Sequence, residues 1–174
     1  KDLVELLDDR TATIAMVDGR YAEAARLWRG YAARSPLNAT TALAKAARMA
    51  LWDRDAVGAA ADLAALEATG QHGPPIDAGR AAIAAGIAAI GESVADARRG
   101  YREALAIWRD LGLPWDEALT CLDLVLLLGP DDPDAAAASD RARGVFTQLG
   151  AVPFLAKLDA ALAQAPARRS PSIR

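Results

Sequence analysis

The 174-residue sequence has little of the chemistry from which enzymes and metal sites are built. It contains one cysteine, Cys121, and one histidine, His72, which excludes an internal disulfide and a cysteine–histidine metal cluster. It also lacks a glycine-rich phosphate-binding loop and the motif of an activated nucleophile. We therefore expect a protein that is not an enzyme and that uses no cofactor and no metal ion.

Long apolar runs and an excess of one charge are absent as well. No apolar run reaches the roughly 20 residues needed to cross a bilayer, and no signal-like segment opens the chain. We expect a cytoplasmic protein without a membrane partner, and, because the first residue is Lys1, a fragment of a longer one. Lysine and arginine together number 20 against 23 aspartates and glutamates, which argues against direct binding of nucleic acid.

Alanine, by contrast, makes up about a quarter of the chain, and only 5% of the residues are aromatic. Alanine favours helices that pack closely, whereas strands favour β-branched and aromatic side chains. The composition therefore predicts an all-α protein. The basic residues are almost all arginine, which together with the alanine excess is typical of a GC-rich bacterial genome.

The stretch 94–129 predicts a helix, a sharp turn and a second helix. Apolar residues in its first half recur at alternating steps of three and four, so they share one helix face: Val94, Ala97, Tyr101, Ala104, Trp108 and Leu111. Gly112 can adopt the left-handed conformation that ends a helix, and Pro114 suits the first turn of the next. The second helix carries one charge beyond its first turn, Asp123, so we expect protein to cover it on nearly all sides.

A helix pair with one buried member needs similar pairs on either side to cover its apolar surface. Turn signals along the sequence mark where the helices of these further pairs begin and end. The predicted repeat domain spans residues 1–165, with helix pairs at 2–33, 38–69, 76–111 and 115–149 and a capping helix at 153–164, about nine helices in all; residues 166–174 form a tail. We expect Lys157 and Asp159 of the capping helix to point outward.

A small residue recurs at the centre of the second helix of each pair, as Ala24, Ala59, Ala97 and Ala138, at steps of 35, 38 and 41 residues. A helix-turn-helix unit of about 34 residues is the signature of the tetratricopeptide repeat. The chain resembles tetratricopeptide-repeat proteins also in the glycine, aromatic, alanine, aromatic and terminal proline of the second helix, which correspond to Gly19, Tyr21, Ala24, Trp28 and Pro36. The resemblance implies antiparallel helix pairs stacked as a right-handed solenoid.

From Tyr101 onward the chain is also similar to the C-terminal repeat region of large bacterial signalling proteins, in the runs REALAIWRDLGLPWDEALTCLDLVLLL and RGVFTQLGAVPFLAKLDAAL. In those proteins a cyclase-like or DNA-binding domain is joined to a regulatory ATPase and then to helical repeats. The resemblance implies a place in a signalling protein or a transcriptional regulator.

The resemblance to helical-repeat proteins is compatible with two functions. The first is a module that binds a protein or peptide, or another domain of its own chain; the alternative is a sensor that binds a small effector and relays it to an ATPase or DNA-binding region. An open groove would favour the first function, and a deep apolar pocket with a few converging polar groups would favour the second.

The tetratricopeptide resemblance implies that the first helix of each pair lines the concave face. That face carries the candidate binding residues Thr13, Met16, Thr41, Arg48, Trp52, Gly79, Gly86, Thr120 and Asp123. We expect the glycines to leave room, and Arg48 with Asp123 to orient a charged ligand or chain end. The alternative is that Trp52 packs at the end of its helix and that Arg48 is an ordinary solvated charge.

Overall fold

The computed structural model describes the backbone of residues 2–163 and the side chains of residues 9–163. This part of the chain has nine α-helices, one short 3-10 helix at Pro36–Asn38, and no β-strand, which confirms the predicted all-α class. The helices are α1 (Asp2–Val17), α2 (Tyr21–Arg34), α3 (Ala39–Trp52), α4 (Ala56–Ala68), α5 (Pro74–Ile90), α6 (Val94–Asp110), α7 (Pro114–Leu128), α8 (Ala135–Gln148) and α9 (Val152–Ala163). The predicted tail, 166–174, lies outside the described residues.

One type of turn connects most of the helices. After α6, Gly112 has a φ of +65°, and the amide of Leu113 donates to the carbonyl of Trp108 over 3.1 Å. This is the left-handed helix ending that the sequence predicts. The turns after α3 and α5 have the same form with a side chain at the left-handed position, since φ is +61° at Arg54 and +63° at Glu92.

The helices pack in an inner and an outer series. Each helix contacts the next one in sequence, and the odd-numbered helices α3, α5, α7 and α9 also contact one another in that order. Helix α7 lies at the centre of the inner series, and all of its residues from 117 to 125 are buried. This confirms that protein covers it on nearly all sides.

Ion pairs join two pairs of neighbouring outer segments. Arg29 on α2 forms two hydrogen bonds to Asp62 on α4, over 2.7 and 2.9 Å. Two further arginines, Arg98 and Arg102 on α6, pair with Asp132 and Asp134, which lie in the turn just before α8. The partners lie 33, 34 and 32 residues apart, so each pair connects one helix pair to the next.

The two ends of the described chain meet, and there one prediction is wrong. Lys157 on α9 does not point outward: its ammonium lies 4.2 Å from the ring centre of Tyr21 and 4.7 Å from that of Trp52, and it donates to the Tyr21 hydroxyl. Cation–π attraction to the two rings offsets the free-energy cost of removing water from the lysine ammonium group. Asp159 is exposed and pairs with Arg143. The last helix is therefore attached to the first two repeats instead of capping a free end.

Candidate functional site

A partly enclosed cavity of about 320 Å³ lies among the inner helices. The second and third residues of α3, α5 and α7 line it together, as Thr40 and Thr41, Pro75 and Ile76, and Trp115 and Asp116. In none of these three described helices does the side chain of the N-cap residue bond to the first turn. The N-terminal end of a helix carries partial positive charge, so three such ends border one space. Free amide donors are fewer, because α5 begins with Pro74 and Pro75 and α7 with Pro114, which have no N–H group.

Most of the cavity wall is apolar. Leu66, Ile83, Leu113 and Leu119 supply aliphatic surface, and Trp108 joins Trp115 in supplying aromatic surface. Gly79, in the interior of α5, makes room for the cavity, because a Cβ atom built there would meet nothing within 4 Å. This combination of apolar walls with a few polar groups is typical of sites for small molecules.

Arg48 is the most buried cation at the cavity, with 18% of its side chain exposed. Its Nε donates over 2.8 Å to Asp123, a carboxylate that is 3% exposed. The indole nitrogen of Trp52 donates to the other oxygen of Asp123 over 2.6 Å. Asp123 is thus satisfied by two donors from α3, and it holds Arg48 in position at the cavity.

A second polar group lies beside this pair. The indole nitrogen of Trp108 donates to the hydroxyl oxygen of Thr120 over 3.1 Å, and Nη2 of Arg48 lies 3.5 Å from that oxygen. Behind them the buried hydroxyl of Tyr101 has no hydrogen-bond partner in the described part of the chain. Burial and the charge of Asp123 raise the pKa of Tyr101 well above its ordinary value, so the phenol is neutral.

Cys121 lies on the buried side of α7 and offers no nucleophile. Burial, with a smaller contribution from the charge of Glu117, raises the pKa of its thiol to about 12. The reactive form of cysteine is the thiolate, which is scarcely populated at neutral pH. The thiol therefore serves as a small core group.

Three of the predicted binding residues, Thr41, Arg48 and Gly79, line the cavity. Thr120 and Asp123 lie behind Arg48, while Met16 and Trp52 border a second, smaller cavity beside Lys157. Two residues lie elsewhere: Thr13 donates to a carbonyl of its own helix, and Gly86 is packed so closely that a Cβ atom there would come within 2.5 Å of Leu51. Gly86 therefore leaves no room for a ligand, contrary to expectation.

Most of the apolar wall is not predicted from the sequence. The periodicity places Trp108 in the apolar stripe of α6, and the turn at Pro114 places Trp115 at the start of the central buried helix. The signal that could have found the cavity is the equivalence of the first turns of α3, α5 and α7, because residues at equivalent positions of stacked repeats lie side by side.

The described part of the chain contains no cluster of three metal-ligating side chains, and none of its helices is long and apolar enough to span a membrane. No protein-family model, no curated protein and no solved structure matches the chain. The tetratricopeptide-like arrangement of the helices therefore remains a prediction from the sequence.

Proposed function

We propose that this chain is a non-catalytic regulatory module whose cavity among α3, α5 and α7 binds a small effector. The observation that supports this most is the mostly apolar cavity of about 320 Å³ that Arg48 helps to line, since a drug-sized molecule needs a concave space of roughly this volume. The alternative function considered above thus becomes the leading one.

The finer architecture belongs to the same proposal. The order of inner and outer helices supports a tetratricopeptide-like stack, and the right-handed twist is proposed from the sequence resemblance. In proteins with such repeats the inner helices form the binding face. We further propose that the module acts within a bacterial signalling or transcriptional regulator, a proposal that rests on the resemblance from Tyr101 onward.

Binding of a protein or peptide has less support from the geometry. Along the inner face, the pairing of Arg48 with Asp123 and the contact of Trp52 with Phe154, whose ring centres are 6.4 Å apart, fill space that an extended peptide would need. A small molecule needs none of that space. A peptide would have to displace contacts that hold the two ends of the array together.

Gly79→Leu provides the test. We expect a leucine at this position to project into the cavity and the fold to be retained, because a Cβ atom there meets nothing within 4 Å and leucine is a better helix former than glycine. We expect thermal-shift screening of a mixed panel of small acids, amines and neutral compounds to find molecules that raise the Tm of the wild type but not of Gly79→Leu. A ligand at 100 times its Kd stabilises by about 2.7 kcal/mol, which is easily measured.

Gly144→Leu is the matched control, since Gly144 is an exposed glycine within α8 where a Cβ atom would also meet nothing within 4 Å. The control should respond to ligands as the wild type does. If the panel yields no stabilising compound, or if every compound that stabilises the wild type stabilises Gly79→Leu equally, the proposal is wrong.

A further inference from the structure

The cavity lining carries three charged side chains, Lys45, Arg48 and Asp116. Two of them already have partners of opposite charge. Lys45 forms an ion pair with Asp9 over 2.8 Å, and Arg48 forms one with Asp123 over 2.8 Å. Neither of these aspartates lines the cavity. The two cations are therefore neutralised from outside the cavity, and the lining has one unbalanced charge, that of Asp116.

The ammonium group of Lys45 is also held toward the first repeat. It lies 5.4 Å from the ring centre of Trp28 on α2, and no described residue of α1 or α2 lines the cavity. The guanidinium of Arg48 bonds through Nε to Asp123 on the central helix α7. An anion in the cavity would thus meet no cation that lacks a partner in the described part of the chain.

Asp116 is the third residue of α7 and is half-buried in the cavity lining. Its side chain forms no hydrogen bond or ion pair with a described residue. A carboxylate only accepts hydrogen bonds, so the group opposite must donate, and a bond from an ammonium group is roughly twice as strong as one between neutral groups. The helix ends that border the space carry partial positive charge, but this effect is screened by salt and falls off within the first turn. It does not cancel direct contact with a full charge.

Two tryptophans in the same lining are held in position by the surrounding protein. Trp108 is 6% exposed, and its indole nitrogen donates to Thr120 over 3.1 Å. The ring of Trp115 packs edge-on against Phe146 and Phe154, with ring centres 5.7 and 5.1 Å away. Tryptophan is the aromatic residue that attracts cations most strongly, and its ring also packs well against another ring. The two indoles therefore suit a molecule that combines an aromatic ring with a positive charge.

We propose that the effector is a small organic cation, an aromatic ring system that carries one ammonium group, with the ammonium against Asp116 and the ring against the walls that carry Trp108 and Trp115. This inference rests on the proposed function and adds the chemical class of the ligand to it. Neutral and anionic molecules of the same shape bind less well.

Three probes with one ring system separate charge from shape: naphthylethylamine, naphthaleneethanol and naphthaleneacetate. In calorimetric titrations we expect naphthylethylamine to bind the wild type at least about tenfold more tightly than either of the others, because it alone supplies a charged donor. Gly79→Leu should abolish this binding.

Asp116→Asn tests the position of the ammonium group. The change removes the charge, conserves the shape of the side chain and lies at a half-buried position, so the fold is retained, which the Tm of the free variant checks. It should weaken binding of the amine about tenfold, because the charge-assisted bond is lost, and leave the affinity for naphthaleneethanol within about twofold.

Asp131→Asn is the matched control. Asp131 is exposed and follows the other end of α7, which ends at Leu128, and it does not line the cavity. The control removes the same charge from the protein and should leave the affinity for the amine within about twofold. It thereby separates contact with Asp116 from general attraction of a cation to an acidic protein.

The inference fails if the alcohol or the acetate binds as tightly as the amine, or if none of the three probes binds. It fails also if Asp116→Asn leaves the preference for the amine unchanged, or if Asp131→Asn weakens amine binding equally. The proposed function would survive each of these outcomes if the thermal-shift panel still contained a compound that Gly79→Leu excludes. It fails separately, when no compound shows that dependence.

Discussion

At the scale of the residue, two non-glycine residues occupy backbone conformations that glycine adopts at no steric cost. Arg54 and Glu92 have positive φ angles, and the cost of this conformation for an L-residue is about 1–2 kcal/mol. Arg54 recovers part of it, since its guanidinium donates over 3.0 Å to the carbonyl of Leu126. Glu92 is exposed, and its side chain forms no hydrogen bond or ion pair with a described residue.

Glu92→Gly should therefore stabilise the protein. Relief of the left-handed strain outweighs the added backbone entropy of glycine, for a net gain of about 0.5–1 kcal/mol. Glu103→Gly is the control, because Glu103 is exposed within α6, where glycine costs about 1 kcal/mol. Denaturant unfolding of both variants measures the difference, and a loss of stability in both would contradict the turn geometry.

Glu117 is a buried acidic residue held by two arginines, and only 2% of it is exposed. Its two oxygens accept hydrogen bonds from Arg109 over 2.7 Å and from Arg141 over 2.8 Å. Burial raises the pKa of this carboxyl, but the hydrogen bonds and charges of the two arginines outweigh burial and bring the pKa below its ordinary value of 4.5. The ionised carboxylate therefore fastens α6, α7 and α8 together.

Because the pKa of Glu117 is lower in the folded state, its contribution is present above pH 4.5 and is lost as the pH falls through the folded value. Glu117→Gln should cost about 1–3 kcal/mol at neutral pH, and this cost should shrink as the pH is lowered through the folded pKa of Glu117, below 4.5. Urea unfolding over a series of pH values below 7 checks this. Glu103→Gln, at an exposed position, should cost little at any pH, and an equally small cost of Glu117→Gln at neutral pH would show that the ion pairs do not stabilise the fold.

At the scale of the element, α5 shows how one helix can use the same residue type in opposite ways. A Cβ atom at Gly79 would meet nothing, whereas a Cβ atom at Gly86 would lie 2.5 Å from Leu51 and 3.2 Å from Leu127. The first glycine leaves a cavity, and the second allows close packing of helices. Composition and periodicity treat the two positions alike.

Gly79→Ala and Gly86→Ala should thus change stability in opposite directions. Alanine favours the helix at both positions by about 1 kcal/mol. At Gly86 overpacking against the buried Leu51 costs about 1–3 kcal/mol, so a net loss of about 1 kcal/mol is expected there and a gain at Gly79. Chemical denaturation measures the free energy of unfolding of the two variants. A gain of equal size in both would refute the close packing at Gly86.

The helices themselves could be predicted from sequence because their signals are local. The left-handed turn at Gly112 and the covered helix α7 follow from residues within one or two turns. The sequence pattern predicts that α5 begins at residue 76, two residues later than its observed start at Pro74, although proline is well suited to the first turn of a helix, where no amide donor is needed.

At the scale of the whole molecule, the contacts that define the site join residues far apart in sequence. Arg48 and Asp123 are 75 residues apart, and Tyr21 and Lys157 are 136 apart. Periodicity assigns each of them to a helix face, but it does not give the curvature that brings two faces together. For this reason the periodicity wrongly places Lys157 in solvent, and it does not predict the cavity that Trp108 and Trp115 help to line.

Asp123 connects the cavity to the contact between the two ends of the array. Asp123 bonds both to Arg48 at the cavity and to Trp52, and Trp52 contacts Tyr21 and Phe154 near the join. The cavity and the contact between first and last repeats thus share one buried carboxylate.

The central claim, that the cavity among α3, α5 and α7 is the binding site, can be tested most directly by ¹⁹F NMR of protein labelled with 5-fluorotryptophan. The chain has four tryptophans; Trp108 and Trp115 line the cavity, and Trp28 lies in the core formed by α1, α2 and α3. Titration with a compound that stabilises the wild type should shift the resonances of Trp108 and Trp115 and leave that of Trp28 in place. Saturating binding that leaves both cavity resonances unmoved would contradict the claim.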